Sequence, residues 1–387
     1  MATDARVQTA AGLQQQANRD LVAAFGGGGE AVAAWAPGRC TLLGEHVDYA
    51  GGVVLCIAID LGVAAAIRVA PDGIHRAFGA GHRAVRGDPA PAGDIGDRVF
   101  AAMTALRRIG VDIPPCEVAL SASVPAAAGL ASSAAVICAV IAAALRLARA
   151  RMTAHEFVQA ALTAERDIVG VPCGSLDQHA VVEAPPEGAL LLDCREDSWT
   201  VVPWPWREVV LCACSTGETH DVGGTAYRSR REQTERALGR LHVTSAQDVT
   251  AEMVNRGHLS ALEARRVRHA ATESTRAEHG ARAMRAGDVA RLGELMSESH
   301  RSLRDDHEVS TPALDAAVDA AIQTRGCFGA RMVGAGFGGT AIALVRRSSA
   351  ARCAAAMAAA GGGGCSTWML QRSAGLSHLA ADVIGSR

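Results

Sequence analysis

Residues 117–145 read EVALSASVPAAAGLASSAAVICAVIAAAL, and three kinds of local structure follow one another inside this one segment. From Glu117 to Val124 the apolar side chains Val118, Leu120, Ala122 and Val124 alternate, the period of a half-buried β-strand. From Pro125 to Gly129 the residues are small and end on a glycine, as a tight turn requires. From Ser132 onward an alanine-rich apolar run predicts a buried helix, with the serines at its N-terminal cap. The run Ala134–Leu145 stops at Arg146, short of the roughly 20 residues that cross a bilayer, so a core helix is expected.

Strand, glycine turn and helix in that order bring backbone N–H groups, the positive end of a helix and two hydroxyls to one point, which suits a phosphate. Read alone, the same residues more often describe an ordinary capped helix behind a turn. The 387-residue chain contains no lysine, so its 38 basic residues are all arginine, set against 40 acidic ones. A phosphate-loop lysine and a Schiff-base lysine are thereby excluded, but a lysine-free phosphate cradle is not. A net charge of −2 with scattered arginines gives no footprint for nucleic acid and no polybasic membrane anchor.

On either side of this unit, strands and helices mix. Val53 to Val69 reads as apolar strands interrupted by Asp60 and Gly62, and Asp97 to Arg108 as a helix. Tyr227–Leu241, Leu259–His279 and Val289–Leu303 are charged amphipathic helical patterns, and Met332–Val345 is strand-like. The proline-rich stretch Glu183–Arg207 predicts a boundary near residue 200, giving domains 1–200 and 201–387. Eleven singly spaced cysteines favour a reducing compartment, with the cytoplasm as default, and the polar N-terminus with Asp4 and Arg6 shows no secretory leader. The glycine runs Gly26–Gly29 and Gly361–Gly364 are expected to be surface turns.

Chemistry-bearing residues cluster in three further places. Gly38 to Tyr49 packs Arg39, Glu45, His46 and Asp48 around Gly44; such a set can hydrogen-bond a polyol, although ion pairs on a surface turn would look the same. Glu165 closes a helical pattern and Asp177 follows the turn Gly170–Ser175, so two carboxylates can face one site, one for a hard cation and one for a hydroxyl proton. Gly334, Gly336 and Gly339 satisfy the dinucleotide spacing, but a strand and not a helix follows, so a glycine hairpin is the better reading. Cys212 and Cys214 lack a second pair for zinc, Cys173 reads as a packing residue, and His269, His279 and His300 are expected to be solvated.

Taken in order, these pieces resemble the galactokinase family of the GHMP superfamily of small-molecule kinases. Gly38–Asp48 is similar to the family's sugar signature, Val124–Ala135 to its serine-rich ATP loop, and Arg331–Gly339 to its glycine-rich third motif. Gly170–Gln178, Tyr227–Glu232 and Ser299–Leu314 resemble further family motifs, so the likeness runs from about Ala36 to Val345. The resemblance implies an α+β, two-domain GHMP kinase fold, its N-terminal domain carrying a left-handed β-α-β crossover and its C-terminal domain ferredoxin-like. It also implies ATP- and Mg²⁺-dependent phosphorylation of the anomeric hydroxyl of galactose, with the active site in the interdomain cleft. No obligate protein partner is inferred. Asp177 and Arg39 would be catalytic, and Glu45, His46, Asp48, Gly174 and Tyr227 would contact sugar. Pro125, Ala128, Gly129, Leu130, Ala131, Ser132 and Ser133 would bind the triphosphate, with Ser133 and Glu165 on the Mg²⁺ side.

Thr41, Val47 and Ala50 depart from the sugar signature, and Ala127 and Ala131 from the ATP loop; His307, where an aromatic is usual, is expected outside the site. The departures beside the signature keep a related sugar 1-kinase as the alternative. Less favoured are a non-catalytic sugar and ATP sensor and a nicotinamide oxidoreductase.

Overall fold

The computed structural model describes residues 8–86, 91–218, 225–256, 258–362 and 364–385; Asp4, Arg6 and Gly363 lie outside these. After α1 (Ala10–Phe25) come β1 (Val32–Leu43), β2 (Val53–Val69), β3 (His75–Gly79), β4 (His82–Arg86), α2 (Gly96–Arg108) and β5 (Cys116–Ala122). Next are α3 (Ser132–Ala148), β6 (Met152–Thr153), α4 (Ala154–Leu162), α5 (Leu176–Glu183), β7 (Gly188–Asp193) and β8 (Ser198–Pro203). One edge of the seventeen-residue β2 pairs with β1, from Leu55 opposite Leu43 to Ile67 opposite Val32. Its other edge is shared end to end by β7, by β13 (Arg372–Ser373) and by β5. The outer order is β4-β3-β5-β2-β7-β8, with β3 and β5 parallel and the other pairs antiparallel.

Both faces of the sheet are covered, which is why β2 is apolar throughout and does not alternate. Ala34, Ala36, Val63, Ala65 and Ile67 join the core of α3, whose residues Ile137–Leu145 are wholly buried. Trp35, Ala64 and Ala66 pack instead with Leu13, Ala17 and Leu21 of α1. The expectation of interrupted strands at Asp60 and Gly62 is corrected here. Asp60 N–H donates to the Gln371 carbonyl (3.0 Å), and Gly62 lies so close to the Ala36 carbonyl that a Cβ would sit 2.2 Å from it. The register shifts at Pro37/Gly38, so the strand bends and continues.

The second sheet begins with β9 (Val209–Ser215). The helices α6 (Thr225–Arg240), α7 (Ala251–Arg256), α8 (Ala261–Ala286), α9 (Val289–Ser302) and α10 (Pro312–Gln323) lead to β10 (Cys327–Val333), β11 (Thr340–Arg346), α11 (Ala350–Gly361) and β12 (Ser366–Leu370). The order β10-β11-β9-β12 is antiparallel throughout, the ferredoxin-like arrangement. Residue 200 lies inside β8, an edge strand of the first sheet, and the second sheet opens only at Val209. The chain end then returns: β13 joins β2, and α12 (Leu376–Leu379) leads to β14 (Ile384–Gly385), which pairs with β6.

The bend in β1 presses it against the loop before α3. Arg39 N–H donates to the Leu130 carbonyl (3.1 Å), and a Cβ on Gly38 would lie 2.6 Å from that same oxygen. The structure moves the predicted cap: the N-cap is Ala131, in the left-handed region with no side-chain cap bond, and Ser132 and Ser133 are the first two helical residues. Gly38→Ala should lower the unfolding free energy by about 1–3 kcal/mol through overpacking. Gly27→Ala, with nothing within 4 Å, should change it by less than about 0.5 kcal/mol. Urea titration of both variants checks this.

Candidate active site

Between the two sheets lies a cavity of about 840 Å³. Phe78, Ile95 and Leu120 give it an apolar end, and Arg39, Glu45, His46, Asp48, Glu165, Asp177 and Tyr227 line the rest. Every side chain that sequence reading assigned to catalysis, sugar or metal therefore borders one space, together with Ser133 and Gly174.

The loop between β5 and α3 is built for an anion. Ala127, Gly129 and Ala131 have φ of 54°, 72° and 59°, so alternate residues are left-handed, a backbone form that turns successive N–H groups toward one concavity. The uncapped first turn of α3 opens beside it. Gly129 is required here: a Cβ would lie 2.5 Å from the Val333 carbonyl and 3.0 Å from Gly334, the start of the third glycine-rich motif. The Gly334–Gly339 segment is the hairpin between β10 and β11, so the dinucleotide reading fails on structure as it did on sequence.

Arg39 Nη2 meets Asp177 Oδ1 at 2.8 Å, and Arg39 Nη1 donates to the Gly129 carbonyl. Burial opposes the charge on Arg39, but Asp177 and Glu45 outweigh it and hold its pKa above the usual arginine value. Asp177 sits in the first turn of α5, where the helix dipole favours a carboxylate, and keeps 30% of its side chain exposed against 7% for Arg39.

One residue further along α5, Gln178 Nε2 donates to Glu165 Oε2 (2.6 Å), while Ser133 Oγ donates to Glu165 Oε1. Glu165 does not end a helix as expected; it lies in a π-turn, 163–168, that prolongs α4 and rotates this carboxylate into the cleft. Burial pushes its pKa up, partly offset by Ser133, and Asp177 pushes the same way. A carboxylate destabilised in this manner beside a hydroxyl is a hard oxygen pair suited to Mg²⁺. Arg98, a residue the sequence did not single out, donates its Nε–H to Ser133 Oγ and supplies positive charge at this corner.

The sugar signature is fixed from the second sheet. Arg331 of β10, fully buried, places Nη2 2.9 Å from Glu45 Oε2 and donates Nη1 to the Leu42 carbonyl (3.0 Å). Its other face meets Glu273 of α8 (3.7 Å), which accepts from Gly44 N–H (2.9 Å) and Ser299 Oγ (2.6 Å). Burial lifts Glu45 to about 7 against the pull of Arg331 and Arg39. Glu273 is held far below the carboxylate range because Arg276 and Arg331 overcome its burial.

His46 has φ 60° and donates Nε2–H to the Ala335 carbonyl (3.0 Å), so its Nδ1 accepts from Tyr49 OH (3.2 Å). Tyr49 in turn accepts from His307 Nε2–H (3.3 Å). His307 does not border the cleft; it is wholly buried behind it, 4.5 Å ring to ring from both His46 and His269. The expected solvation of His269 and His300 is corrected, since both are buried and His269 donates to the Glu45 carbonyl (3.1 Å), whereas His279 is exposed. Helical charge patterns cannot show that α8 and α9 carry these imidazoles inward.

The loop before α5 is clamped by Arg166 on the Cys173 carbonyl (2.9 Å) and Arg231 on the Pro172 carbonyl (2.9 Å). Gly174 lets the Asp48 carboxylate lie against it, since a Cβ would be 1.9 Å from Asp48 Oδ2. Asp48 itself is pushed up by burial and by Asp177. Thr41, Val47 and Ala50 are buried and do not border the cleft.

Family models for the GHMP kinases N terminal domain and the GHMP kinases C terminal match residues 97–184 and 281–363. Together with the fold, they define a small-molecule kinase of the GHMP type. The galactokinase galactose-binding signature matches residues 22–69. Curated relatives include galactokinases of Roseiflexus sp., 36% identical over 81% of this chain and 83% of the relative, and of Homo sapiens, 33% identical over 87% and 89%. A solved galactokinase of Lactococcus lactis, complexed with galactose, superimposes with a TM-score of 0.86 at 28% identity, covering 92% of this chain and 97% of that one. A mevalonate kinase at 16% identity and TM-score 0.65 shares the fold. The chain belongs to the galactokinase family.

Arg331→Met should cost about 3–5 kcal/mol, because it strands Glu45 and Glu273 as buried charges; equilibrium unfolding in urea measures it. Burial also pushes His46 down to about 3 and His269 to about 4, so both fold neutral while the unfolded imidazole protonates near 6.5. Their stabilisation is full above pH 6.5 and is lost as pH falls toward 4, roughly 3 kcal/mol for His269 alone. Urea midpoints at stepped pH should show this acid limb, and His307→Phe, which removes a third depressed imidazole, should make it shallower.

Proposed function

We propose that this chain transfers the γ-phosphoryl group of ATP to the anomeric hydroxyl of galactose, giving galactose 1-phosphate and ADP. The observation that carries the reading is the Asp177–Arg39 pair at 2.8 Å, set in one cleft between the Ser133–Glu165 corner and the Glu45, His46 and Asp48 cluster. The triphosphate would lie along Pro125–Ser133, on the loop amides and the open first turn of α3. The purine would occupy the apolar end at Phe78, Ile95 and Leu120. Ser133 and Glu165 would hold Mg²⁺, which neutralises phosphate charge when bound.

Glu45, His46, Asp48, Tyr227 and the backbone at Gly174 would fix the sugar so that its anomeric oxygen faces Asp177. Asp177 would accept or orient the hydroxyl proton, and Arg39 would hold the carboxylate in position and stabilise the transferred charge. Loose phosphoryl transfer depends mainly on such positioning and charge. Galactose is favoured over another sugar because the signature residues that border the cleft are retained, while the departures Thr41, Val47 and Ala50 are directed into the core. The eleven cysteines are all free, which suits a reducing compartment, and the cytoplasm is the proposed location.

Asp177→Asn should lower kcat by roughly 10²–10⁴ while galactose binding by calorimetry stays within a few-fold. Full turnover in a folded variant would remove the assigned role. A coupled ADP-release assay over a panel of free sugars tests the substrate, and a faster rate with a pentose, uronic acid or aminosugar would shift the assignment to a related sugar 1-kinase.

A further inference from the structure

A second cavity, of about 410 Å³, lies at the junction of the two sheets and shares no lining residue with the catalytic cleft. Its wall is the connector between β8 and β9, with Trp204, Trp206 and Arg207, together with Arg347 just beyond β11 and Arg372 of β13. Three chain segments far apart in sequence thus each bring an arginine to one place. Glu187 is the one carboxylate in the lining, leaving an excess of two positive charges.

These guanidiniums are not spent on internal pairs. Among the described residues none of the three makes an ion pair or a side-chain hydrogen bond, and Arg372 Nε is buried with no partner. Elsewhere most buried or half-buried arginines are tied up, as Arg39, Arg68, Arg266 and Arg331 are. The buried Nε–H of Arg372, an unpaired donor costing about 1–3 kcal/mol, awaits an acceptor, and the solvent-facing Arg207 and Arg347 stand unpaired beside it.

The aromatic side of the cavity is rigid. Trp204 Nε1–H donates to the Trp206 carbonyl (3.0 Å) and Trp206 Nε1–H to the Gly287 carbonyl (2.9 Å), with the rings edge to face at 5.5 Å. The Arg372 guanidinium stacks 4.9 Å from the Trp204 centroid, which fixes its plane. Arg347 is anchored through its own N–H to the Glu208 carbonyl (2.8 Å).

We infer that this cavity is a binding site for a phosphomonoester dianion, with the arginine forks of Arg207, Arg347 and Arg372 on the phosphate and the ester's ring against the tryptophans. Two negative charges match the excess of two positive ones, and planar guanidinium forks pair with phosphate oxygens in a bidentate way. The volume exceeds what a bare phosphate needs and leaves room for a ring. Sugar phosphates and nucleoside monophosphates share this chemistry. An occupant would bridge the connector, the second sheet and β13, and would raise the melting temperature by binding the folded chain alone.

The test is calorimetry on the full chain with galactose and a non-hydrolysable ATP analogue present, titrating in turn inorganic phosphate, galactose 1-phosphate and adenosine monophosphate. Tryptophan fluorescence is followed in parallel. At least one ester should bind saturably and more tightly than inorganic phosphate, and Arg207→Gln/Arg347→Gln should weaken it at least tenfold while kcat and KM stay unchanged. Both arginines are exposed, so the variant should fold, and Arg347→Gln alone should show a smaller loss. No saturable binding up to about 10 mM, or binding that the double variant leaves intact, would overturn the site; the latter would place the ester in the cleft. Inorganic phosphate binding as tightly as both esters would overturn the ring contact.

Discussion

The buried guanidinium of Arg331 is the interaction on which the site's geometry depends. It joins Glu45, in the turn after β1, to Glu273 on α8, and so ties the signature loop of the first sheet to the helices and sheet of the second. Taking these charges out of water is costly, and mutual attraction alone seldom repays it. The surroundings make the difference: the Leu42 carbonyl, Gly44 N–H and Ser299 hydroxyl complete the hydrogen bonding of the triad. A network satisfied on nearly every side has one arrangement, and that fixes where Glu45 and His46 stand. At the other end of the cleft the same docking is achieved without charge, through the backbone contact of Gly129 with Val333 and Gly334. The cleft therefore exists only while the two sheets are joined.

The absence of lysine shapes this chemistry. Arginine, unlike lysine, is not a side chain that burial readily neutralises, so titration within the site falls to carboxylates and imidazoles. Burial moves the two kinds in opposite directions, lifting Glu45, Asp48 and Glu165 and depressing His46, His269 and His307. Neutral imidazoles are what the hydrogen bonds require, since a protonated His46 could not accept from Tyr49. His179 is the exception, raised to about 9 because Asp197 and Glu183 overcome its burial, and it stands outside the cleft lining.

Legibility followed the range of the interaction. The strand, glycine turn and helix of residues 117–145 were readable because each depends on neighbours in sequence, and the Gly38–Asp48 cluster because its residue types are dense over a few positions. Glu273, His269 and His307 were not, because charged helix patterns look alike whether the odd imidazole faces water or a neighbouring loop 224 residues away in sequence. The unbroken course of β2 was hidden for a related reason. Asp60 and Gly62 look like strand breakers until Gln371 and Ala36, one far along the chain and one on the paired strand, explain them. The cap at Ala131 was misplaced because serine is the usual cap. Here the positions after it carry the hydroxyls, which leaves Ser133 free to face Glu165.

The exposures of the central pair say how the site is organised for transfer. Asp177 retains access to the cleft, while Arg39 is buried and held by the Gly129 carbonyl as well as by Asp177. In the proposed reaction the group that would meet a substrate hydroxyl is the accessible one, and the arginine paired with it is immobilised behind it. The loop that would cradle the phosphates is attached to that same arginine, through its side chain at Gly129 and its N–H at Leu130. The loop before α3 and the start of α5 thus share one anchor, so displacing either displaces the other. Charge that is already oriented needs no reorganisation as the phosphoryl group moves, and in low-dielectric surroundings it acts more strongly than in water. In this architecture the protein's contribution is arrangement made before the substrates arrive.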